Sequence, residues 1–227
     1  MSTSIVLLLL MLLALAAVGW RSRAIARALV RAPRAGRWDR VGERLAGLGR
    51  DIGLHRRLLQ IRYSGILHLM IFSGFLVLLT AIIQSFGHGL FPGFSLAPIG
   101  GETWIALLQE IFALVITAGI ALAAWQRYVR KPARFAGSSG RDATIIYLLV
   151  LGVVVSMLLE FASAIAAGHV AASGWRPVSS LLARLLPAIG LSGESAATAE
   201  QVFYWAHIGA VLGFLVYIPG SKHRHIF

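Results

Sequence analysis

Runs of about 20 nearly uncharged residues recur along this chain, and no other feature restricts its fold as much. Such a run is at home in hydrocarbon, where backbone polar groups must find their partners within the protein. Spans are read at 4–20, 63–86, 104–126, 144–168 and 201–218. The expected fold is all-α: an integral membrane five-helix bundle, one domain over residues 1–227. The chain is 58% apolar with mean hydropathy +0.78, above the roughly half expected of a soluble domain. The first run has no basic residue before it and no clear small-x-small cleavage site, which argues against a signal peptide.

Charge sets the orientation. The formal net charge is +12. In a soluble protein that would point to nucleic acid. Here the basic residues sit between apolar spans, so topology and anionic lipid account for them and no nucleic-acid partner is expected. Segment 21–62 holds twelve arginines, and Arg127, Arg130, Lys131, Arg134, Arg141, Lys222 and Arg224 follow. The alternate loops hold only Arg176 and Arg184. The positive-inside rule then puts the N-terminus outside and the C-terminus in the cytoplasm of a cell inner (plasma) membrane protein that crosses it several times.

Within the first basic segment, over 36–60, Trp38, Val41, Leu45, Leu48, Ile52 and Leu59 recur at helical spacing with arginines opposite. This reads as an amphipathic helix on the inner leaflet, or as a dock for a soluble partner. On the other side, 88–101 is a turn-rich connection, and a short interfacial helix is expected near 180–186. There is no cysteine, so the chain can neither form a disulfide nor hold an iron–sulfur cluster by thiolates.

The histidines carry the chemistry. Imidazole inside a membrane span is costly and is a preferred axial ligand for haem iron. His207 and His225 are eighteen residues apart, five turns and roughly 27 Å of straight helix, so they would share a face near opposite membrane surfaces. His223 points elsewhere on that helix, but Pro219 and Gly220 make a bend expected. His68 lies five residues into the second span, on the same side as His223 and His225, with Gly65 and Gly74 nearby as room for a flat ring. A haem between the second and last spans, held by His68 and one of that pair, preferably His225, is the reading. The plain alternatives are a basic headgroup anchor for the SKHRH tail and an interhelical hydrogen bond for His68 or His207. His88 and His169 belong to the outer side, and His55 to the arginine-rich loop.

LHLMIFSGF in span two, SSGRDATIIYLLVLGVVVSMLL in span four and AHIGAVLGFLVYIPGSKHRHIF at the end resemble the gamma subunit of respiratory nitrate reductases, a quinol-oxidising membrane cytochrome b. The ending looks most like the membrane domain of heterodisulfide reductase-like fused iron–sulfur oxidoreductases, in which a cysteine-rich cytoplasmic part follows. The resemblance implies that His68 and His225 ligate an inner haem b and that His207 ligates an outer one. The family's second histidine in span two falls where this chain has Leu78. One haem is therefore expected, or a second for which His207 takes another partner such as His88 or His169. It also implies a longer iron–sulfur protein, or a cytoplasmic iron–sulfur partner, exchanging electrons with the quinone pool.

Oxidising a quinol releases two protons with two electrons, so a quinone site needs proton acceptors. Glu110, Glu160 and His207 all fall roughly 9–12 Å below the outer face by helical rise. Glu110 and Glu160 are the candidate proton carriers, with an inner quinone site as the alternative location. A His/Glu-lined ion transporter and a haem-free membrane anchor for a cytoplasmic enzyme are the competing classes.

Overall fold

The computed structural model describes residues 3–33, 39–53, 56 and 58–221. Seven α-helices and short 3₁₀ and wide turns make up its regular structure, with no strand among the described residues. Five helices are long and apolar enough to cross a membrane: α1 (Thr3–Arg31), α3 (Arg62–Leu90), α4 (Trp104–Trp125), α5 (Gly140–Ala167) and α7 (Gly193–Tyr217). The two short ones are α2 (Val41–Leu48) and α6 (Pro177–Leu185).

Each expected span is present, and most run further than their apolar stretch. Hydropathy marks what lipid accepts, whereas a helix continues until its backbone meets a cap. Ser139 accepts a hydrogen bond from the Asp142 amide at 3.4 Å and starts α5 at Gly140. A reciprocal box between Ser192 and Ser195 starts α7 eight residues ahead of the apolar run. At the C-terminal ends, Gly168 takes a left-handed conformation (φ 81°) after α5, which a Cβ would disfavour. α4 passes through a wide turn, Gln126–Arg130, and stops at Lys131 and Pro132. α7 closes in a 3₁₀ turn, Ile218–Gly220, because Pro219 cannot donate to the ladder. The straight eighteen-residue helix from His207 to His225 is therefore not formed, and both His223 and His225 lie outside the described residues.

The amphipathic loop is not one helix either. After α2 come a wide turn, Gly49–Gly53, and a 3₁₀ turn, Leu58–Gln60. Gly42 and Gly47 each cost α2 about 1 kcal/mol relative to alanine, and regular α-helix ends at Leu48, ahead of Gly49. Val41, Leu45, Leu48 and Ile52 are exposed, while Trp38 lies outside the described residues.

α5 packs along α7, α3 along α4, and α1 fills the side between α3 and α7. Specific pairs fix each register. Phe75 of α3 meets Phe214 of α7 at 6.2 Å, and Tyr204 donates to the Ser85 carbonyl at 3.3 Å, so the two helices run antiparallel. α3 and α4 are also antiparallel: Gln109 donates to Thr80 at 3.1 Å near one end and Gln126 to Ser64 at 3.5 Å near the other. α1 runs parallel to α7, with buried Leu7 among Tyr204 and Ile208, and Arg21 against Gly220. The described parts of segments 21–62 and 127–141 thus gather at one end of the bundle. Connections 91–103 and 168–192 gather at the other, so the charge asymmetry of the sequence is an asymmetry of the fold.

The glycines expected to make room for a ring serve packing. A Cβ on Gly74 would run into the Ile116 side chain of α4, and one on Gly65 into the backbone of Leu58 and Leu59. Gly74→Val should destabilise the bundle by about 1–3 kcal/mol through overpacking. Thermal unfolding in detergent would read this as a lower midpoint, partly restored when Ile116→Ala is added.

Candidate functional site

His207 is the most deeply placed of the expected ligands. It is fully buried on α7, facing α5. Its Nδ1 lies 3.0 Å from the Val153 carbonyl and 3.3 Å from the Ser156 hydroxyl. A carbonyl can only accept, so Nδ1 carries the ring proton and donates it there. Nε2 then keeps its lone pair, and it is buried without a hydrogen-bond partner. Leaving such a group unsatisfied costs about 1–3 kcal/mol. Fixing one ring nitrogen on a carbonyl while the other stays free is how proteins orient a metal-ligating histidine. The ring therefore fits an axial ligand of haem iron, through Nε2.

His68 is half-buried on α3, its ring stacked near Phe72 at 6.2 Å and 20°. It lies seven residues from Phe75 toward the arginine-rich end. Seven residues from Phe214 in the same direction is Ser221, so His68 stands level with the close of α7. The structure thus brings His68 to the height where the tail leaves α7. Neither His88 nor His169 is level with His207. His88 occupies the last turn of α3, and the Nδ1 of His169 sits 2.6 Å from Oε2 of Glu200, seven residues before His207 on α7. Among the described residues no group of three or more His, Cys, Asp or Glu could hold a metal ion.

The two glutamates differ in their surroundings. Glu110 is buried on α4 and anchors α6. Its Oε2 accepts from the Val178 amide at 2.6 Å and from the Ser179 amide at 3.3 Å, and Oε1 accepts from Ser179 at 3.3 Å. A carboxylate at the start of a helix satisfies otherwise orphaned amides and suits the positive end of its dipole. Sequence alone could not show this, because α6 comes back onto α4 across 68 residues. Glu160 on α5 has an Oε2 that is buried and without a hydrogen-bond partner. It lies one turn beyond Ser156, the partner of His207, so the imidazole is deeper than Glu160 and the common depth expected from span boundaries is not kept. The boundary of α7 lies eight residues earlier than hydropathy suggested, which accounts for the difference.

Sequence reasoning treated Arg176 as an ordinary loop charge. It is 4% exposed, with its guanidinium 3.4 Å from the centre of the Phe161 ring. Burial lowers its pKa to about 10, opposed by the charges of Glu110, Glu160 and Glu102, so it remains a cation at neutral pH. The available signal was scarcity: Arg176 and Arg184 are the only Lys or Arg residues in the connections at that end of the bundle.

No family model matches the chain, and no solved structure is similar to it. Among curated proteins it is 30% identical, over 190 residues, to the probable iron–sulfur-binding oxidoreductase FadF of Bacillus subtilis. The match takes in 83% of this chain but 26% of FadF, so the chain spans about a quarter of that relative's length.

Glu110→Ala should free α6 while leaving the five long helices in place. Amide hydrogen exchange over 177–185 would then rise, and an unchanged exchange pattern there would show that the anchor is dispensable. Glu110→Gln, which keeps an acceptor oxygen, should show a smaller rise.

Proposed function

We propose that this chain is a haem b-containing membrane electron-transfer domain, exchanging electrons between the quinone pool and a cytoplasmic iron–sulfur partner or fused segment. The observation that carries the reading is His207, whose Nδ1 is held on the Val153 carbonyl and whose buried Nε2 has no protein partner. Bound haem would supply one-electron chemistry, while the protein sets its position and surroundings. His207 would hold iron at its level, and His68 with His225, or with His223, would do so at the arginine-rich end. The number of haems follows from whether both positions are filled. The resemblance to nitrate reductase gamma-like cytochromes b supports the inner pair.

The FadF likeness supports the redox reading and the iron–sulfur partner. With no cysteine in this chain, thiolates for a cluster come from elsewhere. The arginine-rich end faces the cytoplasm of a plasma-membrane protein under the positive-inside rule and draws anionic lipid to that leaflet. Glu160 is the better-placed of the two glutamates to exchange a proton with quinol, since Glu110 is engaged by the α6 amides.

Absorbance of protein purified in mild detergent tests this directly. The expected preparation is red, with a reducible haem b spectrum. His68→Ala and His207→Ala should each lower the haem bound per chain without unfolding the bundle. A colourless, folded preparation would overturn the reading in favour of a transporter or an anchor.

A further inference from the structure

The seam between α5 and α7 holds two polar stripes, of which the electron-transfer reading uses only His207 and Glu160. On α5, Ser156, Glu160 and Ser163 follow one another at spacings of four and three, which places them on one face. On α7, Glu200, Tyr204 and His207 do the same. The register is fixed below by His207 on Val153 and by Gly152, whose Cβ position lies 3.6 Å from Ala210. Glu160, four residues outward of Ser156, therefore lies between the levels of Tyr204 and Glu200, which are three and seven residues outward of His207. Arg176, from the connection before α6, brings a cation to the same turn of α5, over the Phe161 ring. Glu110 of α4 belongs to the same neighbourhood but is occupied by α6.

We infer that Glu160, Glu200 and His169 form a proton path between the α5–α7 seam and the surface at the end of the bundle opposite the arginine-rich segments. Three observations combine. The inner member, Glu160, has a buried Oε2 with no protein partner, and one turn further out Ser163 is fully buried with its hydroxyl equally unpartnered. The outer members touch: Nδ1 of His169 lies 2.6 Å from Oε2 of Glu200, the short distance of a charge-assisted hydrogen bond. Exposure rises along the line, since the Glu200 side chain is 21% exposed and that of His169 56%.

Each transfer is balanced and moves no electrons. At rest Nδ1 of His169 donates to the Glu200 carboxylate. In uptake, water protonates Nε2, the Nδ1 proton passes to Oε2 of Glu200, and the Glu200 carboxyl gives a proton from its other oxygen to the Glu160 carboxylate; exchange of the ring protons with water then restores the Nδ1–H tautomer. Release uses the same bonds in the opposite order. The path rests on the quinone-linked reading only for the source of the proton. The geometry serves uptake and release alike.

The test needs neither haem nor donor. Protein in lipid vesicles is transferred to heavy water, and the carboxyl stretching band that Glu160→Gln abolishes is followed by infrared spectroscopy between pH 5 and pH 9. Glu200→Gln and His169→Ala should each slow deuteration of that band by about tenfold or more, the scale on which a positioned acid–base group acts. Glu200→Asp should restore most of the rate, which separates the carboxylate's chemistry from its packing. Equal rates in wild type and both variants would overturn the path, as would the absence of any band assignable to Glu160. If Glu200→Gln fails to fold, the His169→Ala comparison decides alone. Because no electrons pass, a failed exchange test leaves the haem measurement untouched, and a colourless preparation leaves the exchange test standing.

Discussion

A peptide group without a partner in hydrocarbon costs several kcal/mol, and the architecture of this protein follows from avoiding that cost. Each long segment satisfies its own backbone as a helix, and the breaks are confined to the ends, where glycine, proline or a serine cap closes the ladder. The same cost applies to side chains. Buried Gln109, Gln126 and Tyr204 each reach across to another helix, and in doing so they set the registers that hold the bundle together. Nε2 of His207 and Oε2 of Glu160 are buried polar atoms without a protein partner, at a cost of about 1–3 kcal/mol each.

The parts of the fold written in local sequence were legible. Five apolar runs gave five long helices, and the short helix expected near 180–186 is α6 with its following turn. Signals that depend on the backbone's tolerance were misread. The apolar periodicity of 36–60 suggested one amphipathic helix, but regular α-helix covers only Val41–Leu48 of it among the described residues. Gly65 and Gly74 suggested room for a ring, but they admit Leu58, Leu59 and Ile116. Long-range signals were out of reach. The engagement of Glu110 with α6 joins residues far apart in the chain, and Arg176 acquires its neighbours only when the outer connection folds over α5.

The candidate site divides in a similar way. That His207 would be buried in a span followed from its place in an apolar run, yet its orientation depends on a carbonyl of another helix. Position within a span did not distinguish Glu110 from Glu160. Their hydrogen bonds do, one carboxylate being engaged on both oxygens and the other keeping one free.

The first helix contributes in a way that its lipid-facing surface conceals. Trp20 and Arg23 stack at 3.6 Å near its charged end, a pairing suited to the boundary between tails and headgroups. The helix is joined to α7 at two distant heights, through Leu7 and through Arg21 against Gly220. Whatever depth those interfacial anchors choose is passed on to α7 as to a ruler clamped at both ends. The vertical coordinate of the His207 imidazole in the bilayer is thus partly dictated by an aromatic–guanidinium pair nearly two hundred positions earlier in the chain.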